Sequence, residues 1–236
     1  MAILISGVTG ALGQQVARHC IDAGLPIIGL YRNKEKLERL DLPNKESMRF
    51  IPLELKDVRS KSDCQDIVAD DLDHVVFCHG TYISKQFSEV TIDDLHHMLH
   101  IHFTSTFFIC QYVLDSWSHL PEKDRSITYI SSVATKTGSA HEIAYHASKR
   151  AGEAIMLSIA RDYAKHAIRA NIISPGLMNT PMGQRTIAQR PDILKRLPLG
   201  RTVDVIEVAR LCETLMQSPS ITGQMIHINA GRYSSI

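Results

Sequence analysis

Tyr145 and Lys149 stand four residues apart in Tyr145-His-Ala-Ser-Lys149. On a helix that spacing puts both on one face. Residues 143–164 read as that helix, with Ala144, Ala147, Ala151, Ala154 and Ile155 recurring at helical spacing. A phenol is a poor acid at neutral pH, with a free pKa of about 10. A nearby ammonium favours the phenolate and lowers that value. The pair can therefore act as proton donor and acceptor near physiological pH. Ser132 follows the apolar run 127–130, thirteen residues before Tyr145, and its hydroxyl can hold a substrate oxygen. Taken alone, Tyr-x-x-x-Lys equally describes a surface pair on an amphipathic helix.

A second chemical stretch is Ser6-Gly-Val-Thr-Gly-Ala-Leu-Gly13, between an apolar strand over 2–6 and a helix expected over 14–23. Val16, Ala17, Cys20 and Ile21 share one face of that helix, and Gly24 stops it. Strand, glycine loop and helix, in that order, raise a glycine motif above chance. Gly7, Gly10 and Gly13 allow a tight turn and close approach of backbone to phosphate, and the helix N-terminus supplies N–H groups to a pyrophosphate. The next strand, 26–31, ends in Tyr31-Arg32-Asn33, which contains no acid. In dinucleotide folds an acid here binds the ribose 2′-hydroxyl of NAD, whereas an Arg accommodates the 2′-phosphate of NADP. Arg32 therefore predicts NADP(H).

The elements that must position these groups follow in alternation. Strands are expected over 50–55, 74–78, 127–131, 167–174 and 225–228, and helices over 34–40, 60–69, 93–117 and 205–217. Residues 177–200, rich in Pro, Thr, Arg and Met, show no clean period and read as a lid or substrate-binding loop. The pattern predicts a single α/β domain over 1–236, with a Rossmann-type doubly wound parallel sheet of about seven strands. Ligands then bind at the carboxyl ends of the strands. The glycine loop, Arg32, Gly80, Ser132 and Pro175 all follow strands, so they converge on one edge.

Composition narrows the function. The chain has 236 residues, 44% of them hydrophobic, and a formal net charge of +1. It is long enough for a substantial core, and the charge argues against nucleic acid or a membrane surface as partner. No apolar run is long enough for a membrane span. The N-terminus, Ala-Ile-Leu-Ile, starts as a strand without the basic region of a signal peptide. Five scattered cysteines with no Cys-x-x-Cys suit reduced thiols and a cytoplasmic setting. His96, His97, His100 and His102 cluster on one helix, but no Cys or acid stands at a supporting spacing, so no metal is expected.

The glycine loop, Ser132, Tyr145-x-x-x-Lys149 and Pro175-Gly176, in this order, make the chain resemble the short-chain dehydrogenase/reductase (SDR) family, in particular members like 3-oxoacyl-ACP reductases. The resemblance runs nearly the whole length, to Ile221-Thr-Gly-Gln and Asn229-Ala-Gly231. It implies that Tyr145 is the acid/base, that Lys149 binds the nicotinamide ribose and lowers the Tyr pKa, and that Ser132 holds the substrate oxygen. The implied cofactor-binding set is Gly7, Thr9, Gly10, Leu12, Gly13, Arg32, Leu55, Gly80, Tyr145, Lys149, Pro175, Gly176, Leu177 and Thr180, the last contacting the nicotinamide carboxamide. The implied activity is NADP(H)-dependent reduction of a carbonyl or oxidation of a secondary alcohol. A 3-oxoacyl thioester on a carrier protein is among the implied substrates. Homodimers or homotetramers would form through the helices 93–117 and 143–164.

Three departures from the family pattern stand out. Ala11 takes the place of the second loop glycine, with Ser6 for the usual Thr. Phe77-Cys-His-Gly80 replaces Asn-Asn-Ala-Gly, and His102 falls where a fourth catalytic residue, Asn, usually stands. An imidazole has a free pKa of about 6.5, so His102 either joins the proton relay and titrates near neutral pH, or is a packed helix histidine satisfied by a nearby carbonyl. Two other readings share parts of the pattern: a nucleotide-sugar epimerase or dehydratase, and a non-catalytic NADP(H)-binding regulator.

Overall fold

The structure is a computed structural model that describes residues 2–67 and 71–232. Seven parallel strands form one sheet: β1 (Ala2–Ser6), β2 (Ile27–Tyr31), β3 (Arg49–Pro52), β4 (Leu72–Phe77), β5 (Arg125–Ile130), β6 (Ile168–Pro175) and β7 (Met225–Ile228). Their order is β3-β2-β1-β4-β5-β6-β7. The chain runs outward from β1 to β3, then crosses back to the other side of β1. The strand order thus reverses between β1 and β4, where α/β sheets open a crevice.

Alternation along the strands sends side chains to two layers. Leu4, Val75, Phe77, Ile127 and Tyr129 face one core. Ile109, Val113 and Trp117 of α4 (Ser105–Ser118) and Ile155, Met156 and Ile159 of α6 (Ile143–Asp162) cover it. Ile3, Ile5, Val76 and Ile173 face the other. That side is covered by Val16, Ala17 and Cys20 of α1 (Ala11–Asp22) and by Val208, Ala209 and Cys212 of α8 (Val205–Gln217). No described helix is long and apolar enough to cross a membrane.

Four elements depart from the sequence reading. The helix expected over 93–117 is three pieces: α3 (Ile92–Leu99), a π-helical turn over His100–Thr104, and α4. The wide turn persists because its carbonyls find donors. Ile101 O accepts from the Ser105 hydroxyl at 2.8 Å and faces His79 Nε2 at 3.0 Å, and His102 O faces the Tyr129 hydroxyl at 3.4 Å. The helix expected over 60–69 is a 3₁₀ turn at Lys61–Cys64, and residues 68 and 69 lie outside the described residues. The strand expected over 50–55 ends at Pro52, before a 3₁₀ turn at Leu55–Asp57. Residues 177–200 contain helix α7 (Pro181–Gln189) and a 3₁₀ helix at Pro191–Arg196. Two short helices, α2 (Lys34–Glu38) and α5 (Ala134–Thr137), complete the set used below.

Candidate active site

At the β1/β4 crevice a cleft of about 230 Å³ is lined by Gly7, Thr9, Gly10, Arg32, Leu55 and Gly80. Register explains the convergence: Ser6 pairs with Leu30 of β2 on one side and Phe77 of β4 on the other, so the segments after these strands leave at one level. Gly7 has φ +68°, and a Cβ there would meet His79 Cα at 2.9 Å. Only glycine lets the loop make this close turn. Gly10 caps α1 without any side-chain hydrogen bond, leaving the first-turn N–H groups to a ligand. These features fit the pyrophosphate of a dinucleotide. Two expected residues stand behind the cleft. The Leu12 side chain is buried in the core under α1, and Gly13 packs against the Gly7 carbonyl. Arg32 is 69% exposed at the cleft mouth, with Nε 4.0 Å from Glu54.

An adjoining pocket of about 90 Å³ gathers Ser132, Tyr145, Pro175, Gly176, Leu177 and Thr180. The strands bring them together: Ser131 N–H donates to Ile173 O and Val133 N–H to Pro175 O, both at 2.8 Å, so the turns after β5 and β6 run side by side. Thr180 caps α7, its hydroxyl accepting from Gly183 N–H at 3.1 Å. Helix α6 lies close to the π turn because position 152 is glycine; a Cβ there would collide with the Tyr129 hydroxyl and meet His102 O at 2.9 Å. Lys149 is buried, and its Nζ donates to Ile130 O at 2.8 Å and lies 3.5 Å from His79 O, on the wall of the dinucleotide cleft.

The electrostatics differ from the sequence expectation in two respects. Burial pushes the Tyr145 phenol up to about 12, with the Ser132 hydroxyl pulling the other way and Glu142 and Tyr82 adding to the rise. Burial also drives Lys149 down to about 7, against the opposing pull of Cys78 and Glu153. Burial of both groups therefore outweighs the pull of the ammonium on the phenol. The ammonium points at main-chain carbonyls instead. The second difference is His102. Burial, then Lys149, holds its imidazole well below the ordinary 6.5, so it carries no ionisation near neutral pH. Nε2 accepts from Thr81 N–H at 3.1 Å, which leaves Nδ1–H to donate to the Ser148 hydroxyl at 2.8 Å. The Ser148 hydroxyl donates in turn to Tyr145 O at 2.9 Å. The ring packs edge-on against Tyr145, centroids 5.7 Å apart.

Residues 7–232 match the family model described as enoyl-(acyl carrier protein) reductase. The chain belongs to the short-chain dehydrogenase/reductase family. It is 24% identical to an uncharacterized oxidoreductase of Bacillus subtilis, over 97% of each chain. It is 26% identical to a 3-oxoacyl-[acyl-carrier-protein] reductase of Buchnera aphidicola, over 98% of this chain and 96% of that one. A solved SDR titled glucose/ribitol dehydrogenase, from Brucella melitensis, superposes with a TM-score of 0.89 at 26% identity, covering 99% of this chain and 97% of that one. Membership makes the chain an oxidoreductase of the SDR type, acting on alcohol or carbonyl groups with a nicotinamide cofactor.

Within the SDR frame the substitutions after β4 form a compensated set. His79 stands where the family motif has Ala. Its Nδ1 faces the Ser6 hydroxyl at 2.6 Å and its Nε2 faces Ile101 O, so it ties the end of β1 to the π turn. Burial, then Lys149, drops its pKa to about 3, and the ring stays neutral. Two acids also went unnoticed in the sequence. Glu153, on the Lys149 face of α6, accepts from the Ser131 hydroxyl at 2.6 Å. Glu142 accepts from Tyr82 at the pocket wall. The one available signal was an acid three residues before Tyr145 and another four after Lys149.

Proposed function

We propose that this SDR is an NADP(H)-dependent ketoreductase that interconverts a carbonyl and a secondary alcohol, with 3-oxoacyl thioesters, free or bound to a carrier protein, as the substrate class. The observation that carries the reading is the single pocket shared by Ser132 and Tyr145, with buried Lys149 one helical turn from Tyr145 and its Nζ beside His79 and Gly80 of the dinucleotide cleft. Gly7, Thr9, Gly10, Leu55 and Gly80 would hold the dinucleotide, helped by the backbone N–H groups of Leu12 and Gly13. Pro175, Gly176, Leu177 and Thr180 would hold its nicotinamide end. When bound, the cofactor supplies the hydride.

The chain's own residues do the rest. The Ser132 hydroxyl and the Tyr145 hydroxyl both donate to the substrate carbonyl oxygen, and positioning them there before reaction lowers the barrier as negative charge develops. Tyr145 gives its proton to that oxygen as the alcohol forms. The Lys149 ammonium stabilises the phenolate left behind. His102 acts by position: its ring packs against Tyr145, and its Nε2 accepts from Thr81 N–H. Residues 177–200 form the substrate lid over this single domain. Exposed Phe103 of the π turn, Phe107 of α4 and Leu157 of α6 suit a homodimer or homotetramer built on those helices, and five free cysteines suit the cytoplasm.

The test is a screen for NADPH oxidation across ketones, run beside NADPH binding. Turnover supports the reading, and binding without turnover on any ketone would favour the regulator. Cofactor choice is tested separately through Arg32. A guanidinium meets a phosphate with charge-assisted hydrogen bonds, each worth roughly 1.5–3 kcal/mol. Arg32→Asp is expected to weaken NADPH by at least about tenfold and to improve NADH, read as Kd for both cofactors. An unchanged Kd ratio would remove Arg32 from the assignment.

A further inference from the structure

Three loops on the substrate side meet at one buried carboxylate. Glu142 occupies the N-cap of α6, yet its side chain does not cap the helix. Its Oε1 accepts from the Tyr82 hydroxyl at 2.8 Å and from Arg190 Nη2 at 2.7 Å. Its Oε2 faces His146 Nε2 at 3.2 Å. Tyr82 belongs to the loop after β4, Glu142 to the segment after β5, and Arg190 ends α7, in the segment after β6. The carboxylate side chain is 7% exposed and the guanidinium 31%. Burial alone would raise the Glu142 carboxyl, but the donors from His146, Tyr82, Arg190 and Ser139 together hold it at about 2. Arg190 also donates to the Ser139 hydroxyl at 3.0 Å and to Ala140 O at 3.3 Å.

The cluster bears directly on the pocket. Met182, Gly183 and Thr186 of α7 line it, together with Tyr82 and Glu142. Thr180 pins the start of α7 through Gly183 N–H, and Arg190 pins its end. The Tyr82 ring packs edge-on against Tyr145, centroids 5.5 Å apart. With α7 pinned, the pocket's 90 Å³ falls well short of the roughly 300–1,000 Å³ of sites that enclose a whole ligand.

We propose that Glu142 is the positioning and specificity-determining residue of this pocket: it clamps α7 shut through Arg190 and sets Tyr82 against Tyr145, and a ketone larger than the closed pocket enters by breaking the Glu142–Arg190 pair. This rests on the reading of the Ser132–Tyr145 pocket as the carbonyl site. Lids of this kind gate entry and release, and changes at their fastenings move KM as well as kcat. Loss of either partner frees the same helix, so the two changes share one consequence and do not add.

The experiment compares Glu142→Gln, Arg190→Gln and the double variant by limited trypsin digestion, ketone kinetics and NADPH Kd. Cleavage is followed after Arg185, Lys195 and Arg196, which every variant keeps. Each single change is expected to speed that cleavage and to lower, by about tenfold, the KM of a ketone too large for the closed pocket, because the pair no longer has to be broken, with the double no further from wild type than either single. NADPH Kd stays at the wild-type value. Tyr82→Phe, which leaves the Arg190 pair intact, should cleave at the wild-type rate. Wild-type cleavage rates in both single variants would overturn the clamp, as would effects that multiply in the double. Fast cleavage in Tyr82→Phe would overturn it too. If Glu142→Gln does not fold, Arg190→Gln, on the more exposed side of the pair, decides alone. If no ketone is turned over, the reductase reading falls, and the cleavage rates still decide the clamp.

Discussion

Tyr145→Phe is expected to lower turnover by about 10²–10⁴-fold, the usual span of a general acid, while leaving NADPH affinity within about twofold. The ring keeps its edge-on contacts with Tyr82 and His102, and its place in α6 is unaltered, so the change removes one hydroxyl and little else. That hydroxyl donates in the transition state and contributes little to ground-state binding of the cofactor, so the loss falls on kcat. The phenol's elevation to about 12 adds a direction. The protonated donor persists across the physiological range, so ketone reduction should show no limb from Tyr145 there. Alcohol oxidation needs the phenolate and should climb with pH. Single-turnover NADPH oxidation with a saturating ketone gives the number. A Phe variant with near wild-type kcat would mean that the proton comes from elsewhere.

The parts of the site that were legible in sequence are those whose chemistry depends on local order. Glycines between a strand and a helix, Arg32 directly after β2, and Tyr and Lys one helical turn apart each carry their geometry within a few residues. Parallel strands then had to bring their ends together, because crossovers fix where each segment returns. What could not be read depends on partners far away in the chain. The π turn exists because Ser105, His79 and Tyr129 serve its carbonyls, and a smooth apolar pattern over 93–117 hides it. Helix α7 has no strong apolar period because its inner face covers a small pocket and its ends are fixed by Thr180 and Arg190. Arg190 finds its acid 48 residues away. The same limit explains the electrostatics. Lys149 four residues from Tyr145 suggested a lowered phenol, but burial of both groups outweighs their proximity.

Lys149→Met is expected to cut turnover by about 10²–10³-fold, the range for removing one transition-state electrostatic contact, while leaving the fold at least as stable at neutral and lower pH. Lys149 is 3% exposed. Its displacement from 10.5 to about 7 corresponds to roughly 5 kcal/mol of native-state penalty on the charged form. Met fills a similar volume without charge. Against this gain stand the carbonyls of Ile130 and His79, which lose their donor, at about 1–3 kcal/mol for each buried group left unpaired. The balance depends on pH. Between about 7 and 10.5 the unfolded chain holds a proton on Lys149 that the native chain releases, so wild-type stability rises with pH through that window. Below about 7 the group is charged in both states and the slope disappears. Thermal melts of both proteins from pH 6 to 10 should therefore show the Met variant at or above wild type at the acid end. The wild type should gain on it as pH rises and overtake it near the top. A wild type that instead loses ground with rising pH would show that Lys149 is held charged in the native state, with its pKa raised by partners rather than lowered by burial.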